Sequence, residues 1–292
     1  MTPAASELPE PPLPAALPAG VADSHCHLDM SLDGDGHTAF PPDSDRVVDA
    51  IRRAGAVGVQ SIIQVGCDVA GSRWSAAAAE LYPQVWATVA LHPNEAPRLA
   101  AAEGRPALDE ALAQIAELAA LPQVRGVGET GMDFFRTEPG GRSVQEESFR
   151  AHIEIAKSTG KALVVHDREA HADVLRVLDD AGAPDVVVLH CFSGDADFAR
   201  AAVERGWYCS FAGVVTFKNA DTLRDALDAV TAELLLVETD APFLTPAPHR
   251  GKPNASYLVP LTVRAIAERR DWDLADTCEL LMANTERAFG PL

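Results

Sequence analysis

The sequence predicts a single (β/α)8 barrel. Three observations carry that expectation. Short runs rich in β-branched residues alternate with longer amphipathic segments, the pattern of a parallel sheet covered by helices. Eight such units follow one another. Nearly every strand candidate ends in a histidine or carboxylate, as expected where an α/β barrel gathers its active site at the C-terminal ends of its strands. An open doubly wound sheet shows the same alternation, but eight units favour closure.

Taken in order, the strand candidates span 21–25, 61–66, 85–91, 124–129, 162–166, 186–191, 207–211 and 234–238. Helices are expected over 43–55, 72–81, 107–121, 143–159, 171–181, 195–205 and 220–229, with one final helical stretch from Tyr257 to the C-terminus. Residues 1–20 carry Pro9, Pro11, Pro12, Pro14 and Pro18, which remove backbone donors and block helix interiors. They read as a disordered Pro/Ala-rich tail, with the barrel domain covering 21–292.

The 292 residues carry 24 Lys plus Arg against 43 Asp plus Glu, a formal charge of −19. That disfavours a broad nucleic-acid-binding surface. It leaves room for a small phosphate site built on cations, which dominate their local field. The five cysteines are scattered and odd in number, so a reducing cytoplasm fits better than a disulfide framework. The first basic side chain is Arg46, so no secretory signal is read, and no apolar run is long enough for a membrane-spanning helix.

His25-Cys26-His27 closes the first strand candidate. Residues i and i+2 of an extended chain point to one side, so both imidazoles can reach one cation. Alone, such a pair is more often a turn or core feature; its place at a strand end changes the balance. Glu129 stands in Gly126-Val127-Gly128-Glu129-Thr130-Gly131, either a carboxylate in a tight turn or a bridge between two cations. The glycines permit close backbone approach to whatever Glu129 holds. His166 and His190 each end a buried apolar run, and neutral imidazole is a common metal ligand. Asp240 precedes Ala241-Pro242, either capping a turn or ligating a metal and taking a proton from its water. Four histidines and two carboxylates suit zinc, manganese or iron, whereas magnesium prefers oxygen ligands. His92, Arg168, Lys218, His249 and Arg250 are candidate substrate contacts, although exposed basic residues usually have no such role. Asp33-Gly34-Asp35-Gly36 lacks the later ligands of a calcium loop and reads as a flexible acidic loop.

Together these motifs resemble the TatD family of metal-dependent hydrolases. The matching stretches are Asp23-Ser24-His25-Cys26-His27-Leu28-Asp29, Leu91-His92-Pro93, Gly128-Glu129-Thr130-Gly131-Met132-Asp133, Val165-His166-Asp167-Arg168, His190-Cys191-Phe192-Ser193-Gly194 and Glu238-Thr239-Asp240-Ala241-Pro242-Phe243-Leu244. Pro248-His249-Arg250-Gly251-Lys252 and Asn284, Arg287, Phe289 and Gly290 also match. The resemblance implies two divalent metal ions, with magnesium, manganese and zinc the candidates. It places His25 and His27 on one ion, His166 and His190 on the other, and Glu129 between them. Asp240 becomes a ligand and proton acceptor. The implied activity is hydrolysis of DNA from the 3′ end, and the acidic charge narrows the expected substrate to single strands, short oligonucleotides or chain ends. A monomer with no membrane partner is expected. The alternative is hydrolysis of a small-molecule amide, lactone or phosphotriester, since fold and metal do not fix substrate. The sequence departs from the family in its proline-rich leader, its long acidic first loop and a looser match at Asn254-Ala255-Ser256-Tyr257.

Overall fold

The structure, a computed structural model, describes residues 9–30 and 40–292. Its eight strands are β1 (Val21–Cys26), β2 (Val59–Gly66), β3 (Val85–Val89), β4 (Val124–Asp133), β5 (Ala162–Arg168), β6 (Val187–Leu189), β7 (Tyr208–Phe211) and β8 (Leu235–Val237). All pair in parallel in the order β1 to β8. The ends of the sheet meet through a bridge between Cys26 and Ala241. There His27 N–H donates to Ala241 O at 2.8 Å and Asp240 N–H donates to His25 O at 2.9 Å. The barrel is therefore nearly closed, and its seam joins the two segments that carry His25, His27 and Asp240.

The helices are α1 (Asp45–Ala56), α2 (Val69–Leu81), α3 (Glu95–Glu103), α4 (Arg105–Ala119), α5 (Arg142–Thr159), α6 (His171–Ala181), α7 (Ala196–Glu204), α8 (Asp221–Ala229), α9 (Val259–Arg270) and α10 (Leu274–Phe289). Asp68, Asp195 and Asp273 cap α2, α7 and α10 by accepting backbone N–H groups of the first turn. Two helical features differ from expectation. The loop after β3 contains α3, a short helix ended by Gly104 at φ 87°. The C-terminal stretch is two helices, because Asp271 adopts φ 52° and Asp273 caps a new start. No helix among the described residues is long and apolar enough to cross a membrane.

The barrel strands are buried on both faces, which explains their continuous Val/Ile/Leu runs. Ile62, Leu163, Phe149, Ile153, Leu178 and Phe211 are among the largest fully buried side chains.

The disordered tail expected over residues 1–20 needs correction in its second part. Residues 9–20 are extended, as their prolines dictate, but they lie along the barrel. Tyr257 Oη donates to Pro11 O at 2.8 Å, Arg264 donates to the carbonyls of Ala15 and Ala16, and Leu17 N–H donates to Val57 O at 3.0 Å. Leu17 is buried against Gly58, and such burial contributes about 2 kcal/mol. Residues 1–8 and the acidic Asp33-Gly34-Asp35-Gly36 stretch lie outside the described residues.

Candidate metal centre

β1 delivers the histidine pair. The His25 side chain is fully buried, and neither of its ring nitrogens has a hydrogen-bond partner. Its Nε2 lies 3.8 Å from Glu129 Oε1 and 3.9 Å from Asp240 Oδ1. Burying a polar group unpaired costs on the order of 1–3 kcal/mol. A nitrogen left bare beside two carboxylates has the surroundings of a metal ligand. His27 Nδ1 lies 3.1 Å from Val65 O, so its N–H points away and Nε2 faces Glu129 Oε1 at 3.6 Å and Asp240 Oδ1 at 3.5 Å. Burial works against a charge on His27, yet Asp240 and Glu129 pull it up to about 9. A cation in that place competes with the proton for the same nitrogen. Burial, reinforced by His190, holds His25 well below the usual imidazole range, which keeps it neutral.

Glu129 is the centre of the cluster. Its Oε2 lies 2.8 Å from His190 Nε2, 3.1 Å from His166 Nδ1 and 3.8 Å from His92 Nε2. Its Oε1 accepts from the Cys67 thiol at 3.3 Å. Burial alone pushes Glu129 up, but His92, His190 and His166 together hold it well below the usual carboxylate range. The glycines around it serve the approach of β4 to β5 instead of the approach to a ligand. A Cβ at Gly128 would lie 2.4 Å from Val164 O, and one at Gly131 would lie 2.1 Å from His166 O. Strands this close bring Glu129 and His166 together.

A further layer orients these groups. Glu238 Oε1 lies 3.3 Å from His190 Nδ1 and accepts the Cys191 N–H at 2.9 Å. Asp133 Oδ2 lies 3.4 Å from His166 Nε2 and accepts from Asn94 Nδ2 at 3.0 Å. Carboxylates behind histidine ligands fix the tautomer and raise basicity. Asp23, pushed up to about 7 by burial, accepts from both the N–H and the hydroxyl of Thr239 and so ties β1 to the segment bearing Asp240. The sequence reading assigned no role to Cys67, Asn94, Asp133, Glu238 or Asp23. Spacing could have found two of them: Glu238 stands two residues before Asp240, and Asp133 four after Glu129, both even offsets along an extended chain.

Among the described residues, four sets of side chains bring ligand atoms within 4.8 Å of one another: His25 with His27 and Asp240; His25 with Glu129 and His190; His92 with Glu129 and His166; and His27 with Cys67 and Glu129. The donors are imidazole and carboxylate with one thiol, a set suited to a transition metal or zinc. All six expected ligands thus lie in one cluster. His92, expected as a substrate contact, joins them there; burial pushes it down to about 3.

Above the cluster opens a cavity of about 680 Å³, lined by His27, Glu129, His166, His190 and Asp240 at its floor and by Arg98, Arg136, Arg168 and Phe243 among its walls. The other expected contacts sit elsewhere. Lys218 is exposed in the loop after β7, where its carbonyl accepts from Arg224. Arg250 lies over the Phe217 ring, 3.9 Å from its centroid, and His249 N–H donates to Pro246 O. None of these three lines the cavity.

Residues 22–290 match the family model described as TatD related DNase. An uncharacterized metal-dependent hydrolase TatD of Mycobacterium tuberculosis is 43% identical over 277 residues, covering 92% of this chain and 98% of its own. A 3′-5′ ssDNA/RNA exonuclease TatD of Citrobacter rodentium is 34% identical, covering 86% of this chain and 93% of its own. The crystal structure of YjjV, a TatD homolog from Escherichia coli K12, superposes with a TM-score of 0.81 at 26% identity, covering 93% of this chain and 98% of that one.

Proposed function

The chain belongs to the TatD family of metal-dependent hydrolases, and within it we propose a 3′-5′ deoxyribonuclease that acts on single-stranded or short DNA ends with two divalent ions. The observation that carries this reading is the convergence of His25, His27, Glu129, His166, His190 and Asp240 beneath one open cavity. The nuclease activity named for the Citrobacter relative supports the choice of phosphodiester. So do Arg136 and Arg168 on the cavity wall of a chain with formal charge −19. Arg98 is paired with Glu95 of the same wall, so the cationic support is small and suits a strand end more than a long duplex.

Divalent ions held by these side chains supply Lewis-acid polarisation of a phosphoryl oxygen and lower the pKa of water in the site. The chain's own groups do the rest. Glu129 is held ionised and His25 neutral, the states in which each can hold a cation, while at His27 a cation competes with a proton. Glu238 and Asp133 fix the His190 and His166 rings. Asp240, with 15% of its side chain exposed, faces the cavity and accepts the proton of the attacking water at Oδ1. A bond forms from that water oxygen to phosphorus, and the bond from phosphorus to the 3′ oxygen breaks in line. The departing 3′ oxygen takes up the proton that Asp240 accepted. Arg168, on the cavity wall, stabilises charge on the phosphoryl oxygens.

The test is a time course on a 5′-labelled single-stranded DNA oligonucleotide with metal-stripped protein, with and without manganese. A metal-dependent ladder shortening from the 3′ end is expected. Intact oligonucleotide from protein shown to bind the metal would overturn the nuclease reading and move the family chemistry to a small-molecule substrate.

A further inference from the structure

Ten phenylalanines occur in the chain, and two of them, Phe135 at 58% and Phe243 at 45% exposure, are exposed as large apolar side chains. Both stand at the mouth of the barrel. The other exposed large apolar residues of the described chain, Leu13, Val48 and Leu81, lie on the N-terminal strap and on α1 and α2. Phe243 follows Asp240, lines the cavity, and has its ring centroid 6.3 Å from that of His27. Phe135 follows the end of β4 and carries the Arg168 guanidinium 3.9 Å from its ring centroid. The strand order places β8 and β1 on one side of the barrel and β4 and β5 opposite. The two rings therefore stand on opposite sides of the barrel mouth, Phe243 in the cavity lining and Phe135 outside it, behind Arg168, which does line the cavity.

Neither backbone is loose. Phe243 N–H donates to Asp240 O at 2.9 Å, and its carbonyl accepts from Asn254 Nδ2. Phe135 N–H donates to Asp133 Oδ1 at 3.0 Å. A flat π-face beside an arginine matches what single-stranded nucleic acid offers, a base to stack and a phosphate to neutralise.

We infer that Phe135, backed by Arg168, and Phe243 form a two-sided nucleobase-stacking clamp that holds a single strand across the metal-ligand cluster. The inference rests on the nuclease reading and deepens it. Stacking is tolerant of base identity, so the clamp selects unpaired ends without selecting sequence. A duplex keeps its bases stacked on one another and cannot present them to either ring.

The test compares the full-length protein with Phe135→Leu and Phe243→Leu in manganese, on a single-stranded DNA oligonucleotide and on the same oligonucleotide with abasic residues at its 3′ end. Each substitution is expected to raise KM on the natural strand by at least about fivefold, the low end of base–aromatic stacking, with kcat preserved. Wild-type KM rises on the abasic strand, where the variants no longer differ from wild type. Phe135→Trp, which keeps a ring, restores the wild-type KM. A 2-aminopurine base near the 3′ end is quenched on binding wild type and less so on binding the leucine variants. Equal KM for wild type and both leucine variants on the natural strand overturns the clamp, as does an equal loss on natural and abasic strands. If wild type degrades both strands alike, the clamp alone falls; if it degrades neither, the nuclease reading falls with it.

Discussion

His25 at the mouth and His152 in the outer wall are both fully buried, and burial pushes both below the usual imidazole range. They differ in what their nitrogens meet. His152 Nδ1 lies 2.7 Å from Ser148 O, and its Nε2 accepts the Leu91 N–H at 3.0 Å, so a single neutral tautomer satisfies both positions. His25 satisfies neither nitrogen within the chain and points one of them at two carboxylates. Burial and a lowered pKa therefore do not identify a ligand. The two rings are separated by a bare nitrogen that faces carboxylates in one and not in the other. The wall histidine is complete as a neutral group and stabilises the fold; the mouth histidine leaves a nitrogen open beside two carboxylates, as the proposed metal site requires.

That contrast breaks in ordered ways. The largest expected effect is at the mouth. Asp240→Asn keeps the shape of the cluster but loses the proton acceptor, and its turnover is expected to fall by roughly 10²-fold or more in a single-turnover assay with manganese. Unchanged turnover would remove Asp240 from that role.

Next comes the wall. His152 is held down to about 4 from an ordinary 6.5, so the native state refuses a proton that the unfolded chain accepts. Its stabilising contribution is complete above pH 6.5 and is lost as pH falls through 4, about 3 kcal/mol in all. Denaturant unfolding at pH 7 and pH 4.5 should show a steeper loss for wild type than for His152→Gln. Equal losses would mean that this ring does not govern the acid limb.

Smaller again is the layer behind the ligands. Glu238→Gln keeps a hydrogen-bond acceptor beside His190 Nδ1 but removes the charge, and manganese affinity by calorimetry is expected to weaken about 10- to 100-fold. The smallest effect is on the outer surface. Arg205 reaches Asp179 through two bonds of 2.8 and 3.0 Å, both side chains facing water, and Arg205→Gln should cost less than about 1 kcal/mol in a denaturant midpoint measurement.

The parts legible in the sequence were those set by local pattern. Strand period placed His25 and His27 on one side of β1, and a polar residue after each apolar run marked the mouth. His166, His190, Glu129 and Asp240 followed from the same rule. What the sequence hid was set by contacts between distant segments. Cys67 reaches Glu129 from just after β2, His152 reaches Leu91 from α5, and Asp23 reaches Thr239 across the seam. Nothing local distinguishes those residues from ordinary core polar groups. Lys218 and Arg250 show the opposite case, since their charge suggested a phosphate contact but Arg250 rests on Phe217 and neither lines the cavity. The proline-rich leader was legible as extended. Its docking was not, because it rests on backbone groups of the leader that meet distant partners, Tyr257, Arg264 and the Val57 carbonyl.

The central claim is that the mouth cluster holds metal through Glu129. Wild type, Glu129→Ala and His152→Gln, each confirmed folded by circular dichroism, would be stripped with chelator, reloaded with manganese, desalted and assayed for metal by plasma emission spectrometry. Wild type and His152→Gln are predicted to retain manganese and Glu129→Ala to retain none. A wild-type protein that holds no metal, or a Glu129→Ala protein that holds as much as wild type, would contradict the account.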